Sequence, residues 1–269
     1  MANNAKYSLL ISHASIKFYG SPAEIRSERD LTFSMTNSGR IIYALIPARS
    51  GSKGIKDKNI IDVLGKPMMA HSILQAIKSR YIDEVYISTD SEKYAEIAMR
   101  YGAKAPFLRP SDISGDLSTD YEVFEHFVGW IKEAGIRRPD ILVQLRPTYP
   151  TRKVKDLDHS IEIFLEHFEE ADSLRSVIEA PETPYKMWKE DGAFLAPLLS
   201  VPGMKEPYNA PRQSLPRVYW QNACIDMVKT DCIENKKSMT GDRILRFEMS
   251  SSEVHDIDKL DDLKKIEEK

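Results

Sequence analysis

Ile41-Ile42-Tyr43-Ala44-Leu45-Ile46-Pro47-Ala48-Arg49-Ser50-Gly51-Ser52-Lys53-Gly54-Ile55-Lys56-Asp57-Lys58-Asn59 is the stretch that decides the fold. An apolar run ends abruptly in small residues, glycines and cations. Ile41 to Ile46 has the continuous apolar character of a parallel strand buried on both faces. The polar part reads as a loop leaving the C-terminal end of that strand, where open α/β sheets place their ligands. Gly51 and Gly54, with Ser50 and Ser52, let a backbone fold closely around a ligand. Arg49, Lys53 and Lys58 bring positive charge to the same loop, and the combination fits a polyphosphate. A Walker A loop is excluded, because Lys53 is followed by Gly54 and the glycine spacing differs. Taken alone, the loop also fits a solvated basic turn.

Outward from this loop the pattern is regular. Ile60 to Leu64 reads as a short strand closed by a turn at Gly65-Lys66. Pro67 then suits the first turn of a helix whose apolar positions are Met69, Ile73, Ala76 and Ile77. The next strand is Glu84 to Ser88. Thr89-Asp90-Ser91 follows it and offers caps to a helix marked by Tyr94, Ile97, Ala98 and Tyr101. After Arg109-Pro110 a polar stretch, Ser111 to Asp120, leads to a helix with Phe124, Phe127, Val128 and Ile131 on one face. Ile141 to Leu145 is a strand, Leu157 to Phe168 a helix, and Ser173 to Glu179 a further strand. Such alternation predicts a layered α/β fold with a mostly parallel, Rossmann-like sheet. Residues 180 to 220 carry many prolines and predict long loops and irregular excursions rather than another βα unit. Tyr219 to Val228 is read as re-entering the sheet, and Asp258 to Glu268 as a terminal helix. Residues 1–39 stand apart as an N-terminal extension with no visible chemistry, leaving 40–269 as the main domain.

Composition narrows the field. The chain has 269 residues, 42% of them hydrophobic, enough for one large α/β domain. A formal net charge of −3 offers no global basic field for nucleic acid. Cys224 and Cys232 make neither a disulfide framework nor a zinc site, which favours a reducing, cytoplasmic setting. Nor does any apolar run reach membrane-spanning length. His71, His126, His159 and His167 fall on helical segments and form no constellation, and His255 stands beside Asp256.

The motifs, in order, resemble those of the acylneuraminate cytidylyltransferases, also called CMP-sialic acid synthetases. Pro47-Ala48-Arg49-Ser50-Gly51-Ser52-Lys53-Gly54, ending in Lys58-Asn59, resembles their signature loop. Leu64-Gly65-Lys66-Pro67, Ser88-Thr89-Asp90 and Leu108-Arg109-Pro110 match the segments that follow. Arg146-Pro147-Thr148-Tyr149-Pro150-Thr151-Arg152 sits where the family has a Gln-Pro-Thr-Ser-Pro-Leu-Arg run. Pro211-Arg212-Gln213, Gln221-Asn222-Ala223 and Asp256-Ile257-Asp258 resemble the later elements. The resemblance covers roughly residues 40 to 265.

What it implies is transfer of CMP from CTP to the anomeric hydroxyl of a nonulosonic (2-keto, nine-carbon) sugar acid, with loss of pyrophosphate. Charge must move onto the leaving pyrophosphate, and preorganised cations with a divalent metal stabilise it. Arg49 and Lys58 are the expected catalytic clamp, with Ser52 and Lys53 beside them. Asn59, Ser88 and Arg109 are expected on the nucleotide, Asn59 and Arg109 facing the cytosine. Asp256 and Asp258 are expected to hold Mg²⁺, since alternate side chains of an extended segment point the same way. Read without the family, an Asp-Ile-Asp run is equally an acidic helix start. For the sugar acid the candidates are Arg146, Lys186, Arg212 and Asn222, arginine being suited to a carboxylate through paired hydrogen bonds. The resemblance also implies a homodimer, with 180–220 as a dimerisation and acceptor-binding excursion.

Departures from the family gather in the expected acceptor pocket. Arg146 replaces a glutamine, Tyr149 a small residue and Ala223 a glycine, while Asp226 falls where some members have tyrosine. They predict an acceptor other than N-acetylneuraminate, such as a legionaminic or pseudaminic acid, and an added arginine suits an extra acidic or hydrogen-bond-accepting group. Two other readings stay open: a cytidylyltransferase for a 3-deoxy-octulosonic acid, and a nucleotide-binding regulatory domain without catalysis.

Overall fold

The computed structural model describes residues 39–250 and 256–267. The expected extension at the N-terminus (except Gly39) and His255 lie outside the described residues. A six-stranded sheet forms the centre. Its first strand, β1 (Ile42–Pro47), is buried over Ile42 to Ile46, as its unbroken apolar run requires. The hairpin β2 (Asp62–Val63) and β3 (Lys66–Pro67) follows the cationic loop and leads into α1 (Met68–Lys78). Then come β4 (Glu84–Ser88), α2 (Glu92–Arg100), α3 (Asp120–Glu133), β5 (Ile141–Gln144), α4 (Val154–Glu166) and β6 (Ser173–Glu179). A second hairpin, β7 (Trp188–Asp191) and β8 (Phe194–Pro197), forms its own two-stranded sheet. The chain returns as β9 (Tyr219–Lys229), α5 (Thr230–Lys236), β10 (Ile244–Glu248) and α6 (Leu260–Glu267).

Across the central sheet the order is β10-β6-β9-β5-β1-β4. β1 runs parallel to β4 and β5, β9 runs antiparallel to both β5 and β6, and β10 is parallel to β6. The mostly parallel sheet is therefore present, with β9 as its one reversed strand. Parallel strands share one C-terminal edge, so the exits of β1, β4, β5 and β6 all open there, as expected for a ligand edge.

Both faces of the sheet are covered. Alternate residues of β1 feed opposite sides. Ile42, Ala44 and Ile46 pack with Ile73, Leu157, Ile161 and Phe164, while Tyr43 and Leu45 pack with Phe124, Phe127 and Ile131. A third, smaller cluster joins Ile55, Val63, Met68, Ile257 and Ile266. It ties the cationic loop to the C-terminal segment.

Several local readings need correction. Asp90 does not cap α2: Ser91 does, accepting from the Tyr94 amide. The prolines at 184 to 216 do not exclude regular structure, because the short hairpin β7–β8 fits between Pro184 and Pro202 and turns at Gly192 with φ 60°. β10 and α5 lay outside the sequence reading altogether.

Candidate active site

The loop after β1 is held open by specific contacts. Both the Ser50 amide and its hydroxyl donate to Asp90, at 2.7 and 2.9 Å. Asn59, nearly buried, donates from Nδ2 to the Arg49 carbonyl at 2.9 Å. This ties the end of the loop back to its start. The bond explains why an amide stands at 59, and it commits one donor of Asn59 to the protein. Gly54 allows a close approach, since a Cβ there would sit 3.0 Å from the Asp258 carbonyl.

Arg49 and Lys53 converge on a residue that the motifs did not mark. Arg49 Nη1 lies 2.8 Å from Asp116 Oδ1, and Lys53 Nζ contacts Asp116 Oδ2. Both hydrogen bonds hold the Asp116 carboxyl below the usual carboxylate range. Asp116 sits in the polar stretch between Pro110 and α3, where no periodicity singles out one acid. Lys58, on a short 3-10 turn, pairs with Asp258 at 2.7 Å. Arg49 and Lys53 thus share one carboxylate, while Lys58 meets the C-terminal segment.

The C-terminal aspartates reach this place through an apolar anchor. Ile257 is fully buried, and its amide donates to the Thr148 carbonyl at 3.0 Å. Asp256 and Asp258 flank it at the surface, the Asp256 carboxyl turned in against Thr148 and the buried Tyr149. Burying an isoleucine is worth about 1.5 to 3 kcal/mol, so the anchor is what sets the two carboxylates. Desolvation pushes the Asp256 carboxyl up, and the charge of Asp258 adds to this, while bonds from Thr148 and Tyr149 oppose it. Among the described residues no cluster of three or more His, Cys, Asp or Glu side chains is built for a metal. A carboxylate pair beside phosphate-binding cations suits Mg²⁺, which completes its shell with water and substrate oxygens.

On the nucleotide side, Ser88 ends β4 and is fully buried, with an unpartnered hydroxyl. Arg109 is 6% exposed, and its Nε and Nη2 are buried without a hydrogen-bond partner. Burial pushes its pKa down, with the Arg49 charge acting in the same direction and Asp90 against it. The Arg109 amide donates to the Thr89 carbonyl at 2.7 Å, which fixes it beside the β4 exit. Donors buried without partners in the protein are costly and need an acceptor from water or a ligand.

The acceptor half is built differently from the expectation. Arg146 donates to Asp120 at 2.7 Å and lies 3.9 Å from Asp226, which Arg175 contacts at 2.6 Å. Its charge is therefore already matched inside the protein. Tyr149 and Asp226 are both buried. The Tyr149 hydroxyl donates to the Asn222 carbonyl and also lies against Asp256. Burial pushes the Tyr149 hydroxyl pKa up, and the Asp256 charge adds to it. Asn222 serves the irregularity in β9: its Oδ1 accepts from Ser176 Oγ at 2.6 Å and from the Cys224 amide at 3.1 Å. Ala223 stands there at φ 55°, a left-handed conformation that favours glycine.

Arg212 donates to the carbonyls of Pro181 and Ala180 at 2.9 and 2.8 Å, clasping the excursion to the β6 exit. It lines a cleft of about 330 Å³ together with Thr183, Gln213 and Leu215. Lys186 is exposed on the turn Pro184–Lys186. Arg152, the last member of the 146–152 run, is 5% exposed and fully engaged. It donates to the carbonyls of Cys224 and Arg146 and to Ser72 and Gln75. The free thiols Cys224 and Cys232 are buried. Among the described residues no helix is long and apolar enough to cross a membrane.

A mostly parallel sheet whose first strand exits into a loop carrying Arg49, Lys53 and Lys58, with Lys58 paired to Asp258, has the arrangement of an α/β fold that binds its ligand at the C-terminal edge. Residues 43–188 match the profile of the cytidylyltransferase family. The post-translational flagellin modification protein B of Campylobacter coli is 32% identical over 84% of this chain and 93% of its own length. An N-acylneuraminate cytidylyltransferase of Streptococcus agalactiae is 30% identical over 81% of this chain, which spans only 50% of that longer protein. Among solved structures, a CMP:2-keto-3-deoxy-manno-octonic acid synthetase complexed with CTP superposes with a TM-score of 0.61. It is 17% identical, with 84% of this chain and 96% of that one covered. The chain belongs to the cytidylyltransferase family, and its sheet is the nucleotidyltransferase fold.

Proposed function

We propose that the protein transfers CMP from CTP to the anomeric hydroxyl of a nonulosonic acid, releasing pyrophosphate. The observation that carries this reading is the ion pair of Lys58 with Asp258, which joins the cationic loop to the Asp256–Asp258 segment that Ile257 anchors in the small core beneath the loop. The kinship with an N-acylneuraminate cytidylyltransferase supports the class of acceptor.

In this reading Arg49, Lys53 and the loop amides take the triphosphate, and Ser52 lies among them. Lys58 faces the charge that develops on the leaving pyrophosphate, where preorganised donors act most strongly. Arg109 offers its unpartnered donors to the cytosine carbonyl, with Asn59 and Ser88 beside it. Asp256 and Asp258 would hold Mg²⁺, which supplies charge neutralisation on the phosphates and lowers the pKa of the attacking hydroxyl. Arg212, Lys186, Arg146 and Asn222 are the residues proposed for the sugar-acid side. Because Arg146 is paired internally with Asp120, it does not call for an extra acidic group on the acceptor.

The proposal includes a homodimer. Trp188, Phe194, Leu195 and Trp220 leave large apolar surfaces exposed, mostly on the β7–β8 hairpin. Exposed patches of this kind mark interaction sites, and a second copy is the proposed occupant. Light scattering that shows only monomer at micromolar concentration would end this part.

Pyrophosphate release from CTP and Mg²⁺ with a panel of nonulosonic and octulosonic acids tests the whole reading. Turnover with a nine-carbon acid is expected. CTP binding with no turnover on any acceptor would favour a regulatory domain.

A further inference from the structure

Asp116 stands where an anionic substrate has to go. Its carboxylate bonds Arg49 at 2.8 Å and also contacts Lys53. These are the cations that a triphosphate needs, and they cannot serve both anions with the same donors. The residue sits on a turn with fixed ends. Upstream, the Arg109 amide is bonded to the Thr89 carbonyl, and Ser114 Oγ to the Pro110 carbonyl at 2.8 Å. Downstream, Thr119 and Glu122 form a reciprocal capping box at the start of α3, and Asp120 pairs with Arg146. Between them, Gly115 to Ser118 is held by its own contacts, Gly115 amide to Ser118 Oγ at 2.9 Å and Ser118 amide to Gly115 carbonyl at 3.3 Å. Leu117, at its tip, is 95% exposed and so anchors nothing. The strongest ties of this short turn to the body are the ion pairs of Asp116 itself.

We propose that Asp116 is a built-in competitor for the phosphate site, a latch that CTP must displace and that helps expel pyrophosphate afterwards. The inference rests on the cytidylyl-transfer reading above. The like charge of an incoming triphosphate drives the carboxylate away, and the Gly115–Ser118 turn moves while its capped ends stay fixed. When pyrophosphate is the remaining anion, the same carboxylate competes for Arg49 and Lys53. Binding of both phosphates is then weaker than the bare loop would allow. Asp116 acts through these cations and is a positioning residue.

The test is calorimetric titration of the full chain with CTP and, separately, with inorganic pyrophosphate, in the presence of Mg²⁺. Asp116→Asn removes the charge and keeps the size. Because exposed ion pairs of this kind are individually weak and two are lost together, both ligands should bind roughly three- to tenfold more tightly to the variant. The gap should narrow in high salt, where exposed pairs are screened, and the melting curve should overlay that of the parent. Equal or weaker affinity in the variant overturns the latch, weaker affinity placing Asp116 on the ligand's side. If neither protein binds CTP or pyrophosphate, the cytidylyl-transfer reading falls and the latch with it. If the parent binds both and the variant is unchanged, only the latch falls.

Discussion

Lys58 Nζ lies 2.7 Å from a carboxylate oxygen of Asp258, across 200 positions of chain. One partner belongs to the phosphate loop and the other to the proposed metal pair, so the two ends of the domain meet at the chemistry. Asp258 is exposed, and pairs of this kind contribute less than about 1 kcal/mol to stability.

Asp258→Asn should therefore leave the melting temperature within about 3 °C of the parent. The rate of CMP transfer should fall on the order of a hundredfold or more, the usual loss for one charge-stabilising group. Paired melting and turnover measurements check this. An unchanged rate would remove Asp258 from the metal pair.

Arg152 and Arg109 are both buried, yet only Arg152 is saturated by the protein. Arg152→Met should cost about 3 kcal/mol or more, because it strands the buried Cys224 carbonyl and Gln75 Oε1, while Ser72 and the Arg146 carbonyl keep only their bond to each other. Urea unfolding measures it.

Arg109→Met should have the opposite profile. Its buried Nε and Nη2 have no partner to lose, so stability should hold or rise while CTP affinity drops about tenfold or more. A stability loss like that of Arg152→Met would show the guanidinium to be satisfied within the protein.

Ala223→Gly should stabilise the fold by up to about 1 kcal/mol, since alanine at φ 55° carries the strain of a left-handed conformation. Thermal melting would show a rise of about 2 to 4 °C. No rise would mean that the added chain entropy of glycine offsets the relief.

Asp172 gives a pH test far from the site. Lys236 Nζ and the amides of Asp242 and Arg243 donate to it, and its carboxyl is held down at about 2. A depressed folded pKa contributes stability above the unfolded value near 4. That contribution disappears as the pH falls from about 4 to about 2. Asp172→Asn should flatten the fall in melting temperature across that window; an unchanged slope would refute the role.

The strands and helices from Ile41 to Glu179 were legible because each carries its own period: buried parallel strands read as apolar runs, and helices repeat every three to four residues. The phosphate loop was legible because glycine and cation chemistry is local. Asp116 was not, since its importance comes from two cations more than sixty positions upstream and no pattern marks one acid in a polar turn. The departures at Tyr149 and Asp226 showed in the sequence, but their burial did not, because burial is a tertiary property. β10 does not stand out because only Arg246 and Glu248 alternate with Leu245 and Phe247, a signal too short to be read until β6 is there to pair with it.

Ile257 carries the last consequence. It seats the Asp256–Asp258 segment in a cluster with Ile55, Val63, Met68 and Ile266, separate from the two cores that sandwich the sheet. Small satellites open at lower free energy than central strands. Warming or mild denaturant should therefore unseat the C-terminal segment while the sheet is still intact, so that turnover fades ahead of the loss of secondary structure. For such an enzyme the working temperature limit is set by five side chains beneath one loop, and reinforcing them would extend activity without touching the rest of the molecule.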